Sequence, residues 1–89
     1  LMFIKLFFTP LYLNGTTLVG WTAQVHNTLT NVWTKMDFDT DQITRADIKI
    51  WQKGALIQQA FARLTRTQRE FLISGLTPYE QEKLGMPLD

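Results

Sequence analysis

Eighty-nine residues, 45% hydrophobic, 12% aromatic and 19% charged, make one small folded domain with a single modest core, and exclude both a disordered chain and two independent domains. The absence of cysteine removes disulfides, thiolate nucleophiles and cysteine-based zinc sites, and fits a reducing compartment. The net charge of +1 is unevenly spread: residues 45–69 carry six basic side chains against Asp47 alone, while the flanking segments lean acidic.

The opening "LMFIKLFFTPLYL" has only Lys5 as a charge, yet Pro10 and Asn14-Gly15 interrupt it well before the ~20 apolar residues a membrane helix needs. The flanks of a signal peptide are also missing. Alternation of Ile4, Leu6 and Phe8 with Phe3, Lys5 and Phe7 predicts a buried β-strand instead, ended by Pro10. Asn14-Gly15 then predicts a type I′ hairpin turn. The segment "TLVGWTAQV" follows as a second strand, with Val19, Trp21, Ala23 and Val25 on one face and Thr22 and Gln24 on the other.

Residues 17–36 admit two readings. Leu18, Trp21, Val25, Leu29, Val32 and Met36 recur at helical spacing, so one long amphipathic helix is the alternative. The many threonines, with Trp21, Trp33 and several valines, favour strands. The expected third strand covers "NTLTNVWTKM", with His26-Asn27 as the turn before it.

"DFDTDQ" joins this β-rich half, residues 1–38, to a helical half, residues 44–85. Asp37, Asp39 and Asp41 have the opening spacing of an EF-hand loop. Gln42 and Ile48 stand where its glycine and bidentate glutamate belong, so a solvated acidic turn is the expected structure. Thr44 is placed to cap a helix with Asp47 at its third position. Ile48, Trp51, Ala55, Leu56, Ile57, Ala60, Phe61 and Leu64 carry an apolar stripe onward, which Gly54 either breaks or brings close to a neighbour. Thr65 or Thr67 caps the next helix, which buries Phe71, Leu72 and Ile73 and stops at Gly75. Thr77-Pro78-Tyr79-Glu80 opens the last helix with proline at its first position, and Gly85 ends it.

No enzymatic signature emerges. His26 is the only histidine and sits in a predicted turn, and Ser74 is the only serine and lies at a helix end without a nucleophile-elbow context. There is no glycine-rich phosphate loop. A non-catalytic protein without metal or cofactor is therefore expected. The basic middle is the strongest partner signal: Arg63, Arg66 and Arg69, with Lys49, Lys53 and Arg45 upstream, fit a helix-turn-helix with one helix near 55–64 and a second ending at Gly75. Trp21 and Trp33 are candidate interface anchors.

Trp51, Gly54, Ile57, Gln58, Ala60 and Leu64, followed by "REFLISG-x-TP-x-E", resemble a C-terminal block of small uncharacterised proteins of tailed bacteriophages and prophages. The resemblance spans residues 44–85 and implies a phage origin, hence action in the host cytoplasm, but no activity. Where that block continues Glu-Trp this chain has Glu80-Gln81, and so lacks the terminal aromatic.

The expected architecture is α+β: an N-terminal antiparallel hairpin or three-stranded meander packed against three or four short C-terminal helices. The expected function is protein–protein interaction, with a host or phage-encoded partner and inhibition of a host or defence complex as one form of it. Arg63, Arg66, Arg69, Lys49, Lys53, Trp21 and Trp33 are the candidate contact residues. Nucleic-acid binding through the basic segment, and a virion or assembly role with self-association through an edge strand, are the alternatives.

Overall fold

The computed structural model describes residues 5–87. Strands β1 (Leu6–Leu13), β2 (Thr17–His26) and β3 (Trp33–Asp39) form an antiparallel meander in the order β1-β2-β3. Four short helices follow: α1 (Arg45–Gln52), α2 (Ile57–Ala60), α3 (Arg66–Ser74) and α4 (Pro78–Lys83). This is the α+β arrangement the sequence predicts. Phe3 and Ile4 of the first expected strand lie outside the described residues. Among the described residues no helix is long and apolar enough to cross a membrane.

Pro10 does not end β1, which runs on to Leu13. The His26 amide donates to the Lys5 carbonyl at 3.1 Å, and this sets the phase of the ladder. Lys5, Phe7 and Thr9 turn their backbone groups toward β2, while Leu6, Phe8 and Pro10 turn theirs outward. Pro10 therefore falls where its missing N–H leaves β2 nothing to lose. Asn14 and Gly15 both have positive φ, 52° and 75°, as the predicted hairpin turn requires. A register shift at Leu11 and Tyr12 leaves Val19 unpaired and exposed, off the inward face expected for it.

The expected turn at His26-Asn27 is a longer loop, and Thr28–Val32 is not strand. Asn27 is the cause. Its Oδ1 accepts from the Leu29 and Thr30 amides at 2.8 and 3.0 Å, and this local bonding replaces ladder pairing. The alternative helix over 17–36 does not form.

Trp21, Ala23 and Val25 on β2, with Leu6 and Phe38 from the flanking strands, bury the inner face of the sheet against Ile43, Phe61, Leu64, Phe71 and Leu72. Phe38, Phe61 and Phe71 are at most 2% exposed. Each such ring stabilises the fold by about 2–3 kcal/mol through burial.

The helix boundaries follow their caps. The Thr44 hydroxyl accepts from the Asp47 amide and the Asp47 carboxylate accepts from the Thr44 amide, which starts α1. Gly54, at φ 111° with open space around it, breaks the stripe rather than admitting a neighbour. The helix expected at 55–64 shrinks to the four residues of α2, because Phe61 leaves the helical region to bury its ring and Thr65 caps α3 soon after. Thr65, not the buried Thr67, is the cap, paired with Gln68. Phe71 and Leu72 are buried as predicted, but Ile73 is 57% exposed, since a helix cannot turn three consecutive residues to one side. Gln81 is fully buried and donates to the Thr67 and Leu76 carbonyls, both at 3.0 Å. That position holds α4 to α3 and is not an external anchor.

Glu80 closes the last capping box. The Thr77 amide, then the Asn27 side-chain amide, hold its carboxyl below the usual range, with the Thr77 hydroxyl adding to this and burial opposing it. A carboxylate favoured by the folded state stabilises fully above the ordinary glutamate pKa and loses that contribution as pH falls through the lower folded value. Denaturant unfolding measured from neutral pH downward should therefore show stability falling below about pH 4.5. Glu80→Gln should be less stable at pH 7 and flatter across that acidic range; a slope equal to that of the parent protein would remove Glu80 from the account.

Candidate functional site

Two members of the predicted basic cluster, Arg63 and Arg69, are engaged within the fold. Arg63, between α2 and α3, donates to Asp47 of α1 at 2.6 Å. The Arg69 guanidinium donates to the Leu64 carbonyl at 2.5 Å and is half-buried. Gln68 is held by the Thr65 amide. Arg66 and Lys53 are exposed. With the helix expected at 55–64 reduced to the one turn of α2, and with Arg63, Gln68 and Arg69 engaged, the segment does not form the helix pair that the predicted helix-turn-helix requires.

A different surface does assemble. A groove of about 850 Å³ runs between the free edge of β1 and helices α1 and α3. Phe8, Trp21 and Trp51 give it an aromatic floor, tied together by an edge-on Phe8–Trp51 contact at 5.6 Å and by Phe61 beneath Phe8 at 5.4 Å. Lys5, Arg45 and Lys49 are its charged lining residues, and no carboxylate among the described residues lines it. The Arg45 guanidinium lies 5.1 Å from the centre of the Trp21 ring, which fixes one cation at the rim. Trp21 is 5% exposed, and its indole N–H has no acceptor among the described residues. The predicted contact residue Trp21 thus serves the groove from below, and Lys49 from the side.

Against family profiles, curated proteins and solved structures, the chain matches none.

The outer face of the sheet carries Trp33, the other predicted tryptophan. It is 43% exposed, with its ring centre 5.5 Å from both Phe7 and His26. Lys5 precedes Phe7, and Lys35 follows Trp33 two residues on. Nearby, the Thr22 hydroxyl donates to Asp37 at 2.6 Å. Phe7 and Lys5 belong both to this face and to the groove, since β1 is the strand that separates them.

The residues set aside as unreactive in the sequence have structural occupations. The Ser74 hydroxyl donates to the Glu70 carbonyl and accepts from the Leu76 amide. The Asp39 carboxylate accepts from the Asp41 and Gln42 amides, so the acidic turn closes on itself. No group of three metal-ligating side chains occurs among the described residues.

Lys5 and Phe7 are groove residues that the sequence reading did not select, and Arg45 entered it only as part of the basic segment, not among the candidate contact residues. Arg45 had a signal: it is the first residue of a capped helix, where the helix dipole disfavours a cation, so a second use for it was indicated. Lys5 and Phe7 had none, since their role depends on which edge of the sheet the helices leave open.

Proposed function

We propose that the chain is a non-catalytic bacteriophage accessory protein that acts in the host cytoplasm by binding a partner protein, with the groove beside β1 as its working surface. The observation that carries this reading is the composition of the groove: Lys5, Arg45 and Lys49 around an aromatic floor, without a carboxylate among the described residues. Such a lining suits an acidic segment that also carries apolar side chains, the cations drawing it in and the rings holding it. The phage setting is supported by the resemblance of residues 44–85. Occupying an exposed segment of a host or defence complex would block that complex, which is how a small binder inhibits without chemistry. A second copy is a poor occupant, because pairing two grooves would bring like charges together.

Selection from a randomised heptapeptide library on the immobilised protein tests this. Peptides rich in Asp and Glu with interspersed apolar residues are expected, with affinity falling as salt rises. The R45E/K49E double variant should bind them at least ~10-fold more weakly while melting within a few degrees of the parent. No selected peptide, or peptides bound equally by the variant, would sink the reading. Salt-dependent binding of a single-stranded oligonucleotide that is lost in W33A would instead place the function on the outer face of the sheet.

A further inference from the structure

The free edge of β1 forms one wall of the groove, and the ladder phase fixes what that edge offers. Leu6 and Phe8 turn both N–H and C=O away from β2, and Pro10 contributes a carbonyl only. Outside the ladder, no backbone hydrogen bond reaches Leu6 or Phe8 among the described residues. The strand's contribution to the groove stops at the same place: Leu6, Phe7 and Phe8 line it, with Lys5 just before them, and no residue of β1 from Thr9 to Leu13 does. Two independent features, the reach of the groove and the position of the proline, therefore mark the same short segment.

Resting on the groove reading above, we propose that the partner segment binds as a fourth β-strand, added to the Leu6–Phe8 edge of β1 that follows Lys5. Edge addition matches alternating donors and acceptors with a peptide backbone, while side chains on one side of the added strand meet the aromatic floor. A nucleic acid has no such alternation. The added strand is short, because Pro10 withholds the next donor, and this also protects the remainder of the edge from indiscriminate pairing. Charge selects the occupant: Lys5 stands at the start of the edge, and Arg45 and Lys49 face it from α1, so the paired residues should be flanked by Asp or Glu.

The test modifies the peptide and leaves the protein intact. A heptapeptide selected as above is resynthesised with a single backbone N-methyl group at each position in turn. Strand addition predicts affinity losses of about tenfold at two alternate positions and tolerance at the position between them. In parallel, hydrogen exchange of the Leu6 and Phe8 amides should slow on binding, while that of Phe7, already paired with β2, should not change. A peptide that binds but tolerates N-methylation throughout, with Leu6 and Phe8 exchange unaltered, overturns strand addition and leaves the groove reading standing. Failure to select any peptide overturns both.

Discussion

Replacing Gly75 with alanine should remove roughly 4 kcal/mol or more of the fold's stability, whereas the same change at Gly85 should remove only about 1 kcal/mol. The two glycines have nearly the same backbone, φ 77° and 75°, each next to a helix end. An alanine in this left-handed conformation costs about 1 kcal/mol at either site. The surroundings separate them. A Cβ at Gly85 would meet nothing within 4 Å. At Gly75 it would lie 2.6 Å from the Asn27 Cα and 2.8 Å from both the Asn27 nitrogen and the His26 carbonyl oxygen. All three are backbone atoms, so no rotamer change relieves the overlap. The strand end or the helix end must move, and the Thr28 amide bond to the Ser74 carbonyl and the Asn27 side-chain bond to the Gly75 carbonyl would go with it. A total loss of roughly 4 kcal/mol or more follows, against a stability of about 5–12 kcal/mol for a domain of this size. Urea unfolding followed by circular dichroism checks the pair. Equal losses of about 1 kcal/mol at the two positions would show that β2 and α3 do not approach as closely as described.

That contact also shows what the sequence could and could not disclose. Gly75 was legible as a helix stop, because Ser74-Gly75 followed by Thr77-Pro78 is local punctuation and its meaning lies within a few residues. The same holds for Thr44 with Asp47, Thr65 with Gln68, and Asn14-Gly15. Its second duty, admitting the Asn27 backbone, involves a residue 48 positions away and leaves no trace nearby. Pro10 was misread for a related reason. Whether a proline ends a strand depends on which way its nitrogen faces, and that is set by the partner strand. The short α2 arose because burying Phe61 outweighed continuing an apolar stripe that had correctly marked Ala60, Phe61 and Leu64 as core.

The candidate site was only half legible. Lys49 and Trp21 were selected from the sequence, but Arg63 and Arg69, the centre of the predicted basic cluster, are engaged by Asp47 and the Leu64 carbonyl. An arginine three residues from another says nothing about the carboxylate or carbonyl that waits in space. The cations left facing the groove come from α1 and from Lys5, just before β1, brought together only by the packing of helices on the sheet.

Asn27→Ala is the second substitution expected to be severe, with a loss of about 3 kcal/mol and a fall in Tm of roughly 12–24 °C. Asn27 is fully buried, and every part of its side-chain amide is used. Its nitrogen donates to the Gly75 carbonyl and to Glu80, and its oxygen accepts from Leu29 and Thr30. Truncation removes four hydrogen bonds at once, each worth about 1 kcal/mol, and empties a fully buried site, although the Gly75 carbonyl keeps Thr34 and Glu80 keeps the Thr77 amide. Asn27→Asp separates the two halves of the argument. It keeps the acceptor for the Leu29 and Thr30 amides, removes the donor, and sets a second carboxylate beside Glu80. It should be as damaging as alanine at pH 7 and should recover relative to alanine toward about pH 4, as a proton shared between the two carboxyls restores a donor. A loss below about 1 kcal/mol in Asn27→Ala would mean that the loop keeps its shape without its amide. Because β3 begins at Trp33 directly after this loop, and Thr34 also donates to the Gly75 carbonyl, the same substitution should loosen the Phe7–Trp33–His26 face before it disturbs α1. Tryptophan emission from the variant with Trp21 and Trp51 replaced by phenylalanine would register that order of events, with the Trp33 signal changing ahead of the loss of helical dichroism.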